Sequence, residues 1–295
     1  MGRVHFMGAI VHPEARRLLV PAGIGVVVAM VLLVFVGATT FSDPHLATLL
    51  GYLCVWVPLL AAIGVAGASI GRAGPAGAGG PGPGGRLAAD SRGGIRSILR
   101  LFFRPIDLIW GLAIGLLART LASLIEIWGY GSIGTAGATF GETVYDLWWL
   151  FGALLAPVLL APLVEELFFR GLVLRAVYGQ VAASRVRNAG ENHDTPDSAP
   201  VVPGVSQIYR HNALASSGGW AASIAIGVSG LTFALMHLVT IDPASTDAIV
   251  VVGVSTLLFG LAAASVSLAT GRIGGAVIAH ITFNGLVIVP AVLSL

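Results

Sequence analysis

Residues 147–178 read LWWLFGALLAPVLLAPLVEELFFRGLVLRAVY, and this stretch decides the fold. No charged side chain interrupts residues 147–164, close to the roughly 20 apolar residues a helix needs to cross the hydrocarbon core. Glu165, Glu166 and Arg170 then arrive together before the apolar run resumes towards Tyr178. An ionisable side chain inside a span costs about 2.5–3.5 kcal/mol on insertion scales, so such groups are functional candidates by default. One sequence segment thus announces both a spanning helix and a reason to look inside it.

Six more apolar runs surround it. Leu18–Gly37 and Leu46–Ile70 come first, then Ile106–Trp128, which carries Arg119 and Glu126. Trp220–Val239, Ala248–Ala269 and Gly274–Leu293 follow. Hydrophobic residues make up 56% of the chain, charged residues 10%, and the mean hydropathy is +0.90, which leaves too little polar surface for a soluble domain. The pattern predicts an all-α fold, a polytopic transmembrane helical bundle of about seven spans. The first run is too long for a signal-peptide core and reads as a retained anchor. Cys54 is the single cysteine and has no disulfide partner within the chain.

All 16 basic residues, His aside, are arginines, and they set the sequence pI near 9.0. They fall in connections between apolar runs, which marks them as topology signals and not as a nucleic-acid footprint. Arg3, Arg16 and Arg17 precede the first run, six arginines follow the second, Arg170 to Arg210 follow the fourth, and Arg272 precedes the last. The intervening connections have none. The positive-inside rule then predicts a multi-pass cell-membrane protein with a cytoplasmic N-terminus.

Two organisational regions follow: residues 1–105, the N-terminal spans with a basic, Gly/Pro-rich cytoplasmic loop, and residues 106–295, a catalytic membrane domain with its motifs in 150–293. The Gly/Pro-rich first part of Gly71–Arg104 reads as a flexible linker, and Arg92, Arg96, Arg100 and Arg104 follow at helical spacing, suited to an anionic membrane surface. Ala182–Ser217 is polar, too poor in apolar residues for a core, and reads as a mobile connection.

Three groups of polar residues carry the chemistry. Glu166 and Arg170 are one helical turn apart, acid before base, and are predicted to pair. Glu165 points about 100° away and is left to face something else; the plainer reading is a charge cluster at the membrane edge. His237 closes the series Phe233-Ala234-Leu235-Met236-His237, and by itself is equally a satisfied core histidine. His280 and Asn284 share a helix face, and are otherwise a helix–helix hydrogen-bond clamp. Together they supply a carboxylate, two imidazoles and an amide, enough to activate water, orient it and stabilise an oxyanion. Their depths disagree on straight helices: His237 near the end of its span, Glu165 near mid-membrane, His280 in the opposite half. Pro157 and Pro162 predict a kink that reconciles them.

Glu-Glu-x-x-x-Arg, Phe-x-x-x-His and His-x-x-x-Asn, in this order on successive apolar helices, resemble the CAAX-protease and bacteriocin-processing family of intramembrane endopeptidases, similar to type II CAAX prenyl endopeptidases. The resemblance spans about Leu150 to Leu293. It implies Glu165 as general base, His237 as its water-binding partner, His280 with Asn284 as the oxyanion site, and Glu166 with Arg170 as support. It also implies a membrane protein or lipidated peptide as substrate, acted on in the lipid bilayer, with no nucleic acid. The family's description as metalloproteases raises zinc as a cofactor, with Glu165, His237 and His280 as ligands. The helical His-Glu-x-x-His pattern is absent, and a metal-free glutamate mechanism is equally compatible. Two alternatives remain at this level. Gly227-Val228-Ser229-Gly230 with His280 resembles a rhomboid-like serine intramembrane protease. A non-catalytic transporter or scaffold would use the same polar residues to line a path or bind helices. Arg119 and Glu126, seven apart on one face, read as packing groups.

Overall fold

The computed structural model describes residues 15–71, 99–133, 147–191 and 205–293. Helix α1 is Ala15–Gly37, α2 is Pro44–Gly71 and α3 is Ile106–Tyr130. Leu147–Trp149, Leu150–Leu160, Ala161–Glu166, Leu167–Val173 and Leu174–Glu191 follow without a break and form one helix, α4. Helix α5 is Val205–Leu238, α6 is Thr246–Thr270 and α7 is Gly274–Leu293. The described residues are helical with short connections and contain seven helices long and apolar enough to span a membrane. The bundle predicted from hydropathy is therefore observed, and the protein is a multi-pass membrane protein. Its outward faces are apolar, with Val31, Phe35, Leu124 and Trp128 among the well-exposed side chains, a surface suited to lipid.

Helices α1 and α2 form a hairpin, α5 packs on α6, and α3 packs on α7. The last of these contacts needs small residues. A Cβ at Gly111 or Gly115 would come within 2.5 Å or 2.6 Å of the Ile278 or Thr282 side chain, so only glycine permits this approach. Helix α4 runs through the centre. Phe168 and Phe169 are fully buried on it and join Leu59 of α2, Phe233 of α5 and Phe259 of α6 in one core.

Two expectations about the connections are corrected. Ala182–Ser217 is not a loop throughout: α4 continues to Glu191 and α5 begins at Val205. The polarity that ends the apolar run does not end the helix, because Gln, Ala and Arg are good helix formers once outside the hydrocarbon layer. The helical spacing of Arg100 and Arg104 does not make a helix either: residues 99–104 are a turn and an irregular connection, with Arg100 at φ 54°, before α3. Leu99 is buried against Gly171, and the Arg100 carbonyl accepts from the Ile273 amide at 3.3 Å. Arg92 and Arg96 lie outside the described residues.

Candidate active site

Helix α4 does not keep an α-helical register. Leu150–Leu160 and Leu167–Val173 are π-helical, with the Glu pair on the six-residue α segment between them. The prolines explain how the first π segment is tied down. In that register an amide bonds the carbonyl five residues back, as Ala161 does to Ala156. Pro157 has no N–H for the Gly152 carbonyl, and Pro162 has none for the Pro157 carbonyl. Both acceptors are met by side chains from other helices. The Tyr52 hydroxyl of α2 donates to the Gly152 carbonyl at 2.9 Å, and Asn284 Nδ2 of α7 donates to the Pro157 carbonyl at 2.9 Å. The predicted kink is thus a change of register, of the kind that recurs at functional sites.

This register sets the Glu pair against two histidines. Glu166 and Arg170 pair at 3.0 Å, both completely buried. Glu166 Oε1 also accepts from His280 Nδ1 at 2.9 Å, so Glu166 serves one imidazole as well as the guanidinium. Local spacing exposes the first contact and hides the second, which joins residues 114 apart. Arg170 is boxed by aromatic rings, with its guanidinium 4.5 Å from the centre of Phe233, and Nη2 donates to the Gly260 carbonyl at 3.3 Å. A buried charge survives there through this ion pair, hydrogen bond and ring contact together.

Glu165 has the different surroundings that its position on the helix predicts. Its Oε2 is buried and has no hydrogen-bond partner among the described residues. It lies 3.9 Å from His237 Nε2 and 4.0 Å from His280 Nε2. The three residues therefore converge despite the depth mismatch of straight helices. His237 Nδ1 is 2.9 Å from the Phe233 carbonyl, which can only accept, so that nitrogen carries the proton and Nε2 turns to Glu165. The Phe-x-x-x-His spacing has a local meaning as well: it places the carbonyl that orients the imidazole.

Asn284 lies one turn beyond His280 but directs its amide to Pro157. Ser229 is fully buried, and its hydroxyl donates to the Phe169 carbonyl at 3.0 Å rather than to His280. Arg119 and Glu126 pair with each other along α3, and the Arg119 guanidinium covers the Phe283 ring at 5.4 Å. A zinc ion would need three donors at about 2.0–2.2 Å from one point. Among the described residues no three His, Cys, Asp or Glu side chains are arranged to hold a metal ion, Glu165, His237 and His280 included.

A cleft of about 440 Å³ leads to Glu165 and His237. Its walls come from Leu33 of α1, Tyr52, Val55 and Trp56 of α2, Ala161 of α4 and Met236 of α5. The contribution of α1 and α2 is absent from any motif, because it depends on packing between distant segments.

Comparison with known proteins agrees with the region that holds this cluster. No curated relative and no solved structure matches the chain. A family model described as type II CAAX prenyl endopeptidase Rce1-like matches residues 147–286, which take in Glu165, Glu166, Arg170, His237, His280 and Asn284. Residues 147–286 of this membrane protein therefore carry an Rce1-like domain, of the type described for CAAX-type intramembrane proteases.

Proposed function

We propose that the protein is an endopeptidase that cleaves a peptide bond at the membrane with water activated by Glu165. The observation that carries this reading is the buried Glu165 Oε2, unpartnered by any described residue and set 3.9 Å and 4.0 Å from two imidazole nitrogens. Those separations exceed a direct hydrogen bond and suit one bridging water.

The charges assign the roles. Glu165, Glu166 and Arg170 sum to −1 with both imidazoles neutral, and one further proton neutralises the cluster. His280 is the natural carrier, because Glu166 accepts from its Nδ1 and leaves Nε2–H to donate towards Glu165 and the reacting carbonyl. Glu165 takes a proton from water as the water oxygen adds to the carbonyl carbon. His280 Nε2–H donates to the oxyanion that forms, and His237 Nε2 accepts from the water and orients it. When the C–N bond breaks, Glu165 returns the proton to the leaving amine. Water and peptide give a carboxylic acid and an amine, the acid's proton passes to the amine as they part as carboxylate and ammonium, and Glu165 is regenerated as the free carboxylate. Asn284 contributes by holding α4 through Pro157, and Arg170 by balancing Glu166.

Glu165→Gln should remove cleavage of quenched fluorescent peptides by protein reconstituted in liposomes, while Ser229→Ala retains most of it. The reverse pattern overturns the glutamate assignment in favour of the serine alternative. Exhaustive chelation separates the zinc reading: the glutamate mechanism expects unchanged activity.

A further inference from the structure

The cleft has a direction. Thr48, in the second turn of α2, and Thr240, just after α5, both line it and both are exposed. Leu33 lies one turn before the end of α1. These positions adjoin segments 38–43 and 239–245, at one end of the bundle. Helix α3 finishes at the same end, where Gly129 meets Val251 in the second turn of α6. Segments 38–43, 131–146 and 239–245 contain no arginine or lysine, but carry Asp43, Glu142, Asp146 and Asp242.

The other end is the arginine end. Arg272 grips Asp107 there, and Arg175 Nη2 donates to the Ser267 carbonyl at 2.8 Å. Among the described residues, Arg17, Arg100, Arg104, Arg175 and Arg272 lie towards that end, and segments 38–43, 131–146 and 239–245 have no arginine in their sequence. Arginine-rich connections of this length stay in the cytoplasm. The walls between the mouth and Glu165 are apolar, with Leu33, Val55, Trp56 and Met236 prominent.

We infer that the cleft is loaded from the extracytoplasmic face by a polypeptide that presents an apolar segment after translocation. This rests on the proteolytic reading for its chemistry and on the cleft and the arginines for its direction. A cytoplasmic peptide would meet the arginine-bearing end, opposite the cleft residues Thr48 and Thr240.

The test uses single cysteines in a Cys54→Ala chain, at Thr48, Thr240 and the exposed Arg104. A membrane-impermeant maleimide is applied to intact cells and to inverted vesicles. Thr48→Cys and Thr240→Cys should label in intact cells and be protected in inverted vesicles, with Arg104→Cys showing the opposite. Labelling of the two threonine positions only in inverted vesicles overturns the inference. The same labelling in a Glu165→Gln background keeps the two ideas apart. Glu165→Gln protein that still cleaves sinks the proteolytic reading while the labelled face stands, and reversed labelling sinks the direction while proteolysis stands. A photo-crosslinker at position 56 in living cells then reads the substrate class. Adducts to polypeptides with exported segments are expected, and adducts confined to cytoplasmic polypeptides overturn it.

Discussion

Two carboxylates on different helices, the fully buried Asp107 and the half-buried Glu165, show how the same functional group is made to hold or to react. Asp107 is fully buried near the start of α3, and its oxygens are occupied. Arg272 Nη2 donates to Oδ1 at 2.6 Å, Arg272 Nε lies 3.1 Å from Oδ2, and the Arg104 amide donates to Oδ2 at 2.8 Å. These bonds raise the pKa of the Arg272 guanidinium above its already high ordinary value, so its charge persists at any working pH. Glu165 Oε2 has no hydrogen bond from a described residue, yet faces two imidazoles. A satisfied carboxylate is an anchor, whereas an unsatisfied one beside proton carriers is a base in waiting.

The sharpest way to break this contrast is to remove each charge in turn. Glu165→Gln should lower kcat by about 10²–10⁴-fold, the span typical of a lost general base. Its unfolding temperature in detergent should stay near that of the parent protein. A large loss of stability would make Glu165 another anchor. Arg170→Ala lies between the two cases, since it strips the partner from buried Glu166. It should cost about 3–5 kcal/mol of stability, with activity falling in step with the amount of folded protein. Asp107→Asn should cost about 1.5–3 kcal/mol, read by thermal unfolding, and leave kcat per folded molecule unchanged. A fall in kcat at full folding would mean that the arginine end is coupled to the site.

The smallest effects are expected at the side chains that cap α4. Tyr52→Phe and Asn284→Ala each leave a carbonyl without its donor, a loss of about 1–3 kcal/mol. They should lower kcat more than their stability cost explains, because they loosen the register that presents Glu165. Equal kcat in parent and variants would reduce both to ordinary packing.

Much of this was legible in the sequence because hydropathy and one-turn spacing are local. The last apolar run, Gly274–Leu293, coincides with α7, and the Glu166–Arg170 pair forms as spacing predicts. The bond from His280 to Glu166 was not legible, nor was the Tyr52 bond to Gly152, which joins residues 100 apart. Helix length misled where α4 passes Ala182, because hydropathy reports the solvent around a helix and not its end. Asp107 drew no attention because a lone acid at the start of a span resembles an ordinary boundary residue.

The two prolines of α4 make its rotation a joint property of three helices. A residue gained or lost in a helical turn swings everything beyond it by about 100°, which is also the angle between adjacent side chains. A return of the π-helical Leu150–Leu160 to an α register would therefore act like the index pin of a dial, turning Glu165 away from His237. Tyr52 of α2 and Asn284 of α7 hold that pin, so a ligand that moves α2 by wedging beside Trp56 would turn the dial without touching either glutamate.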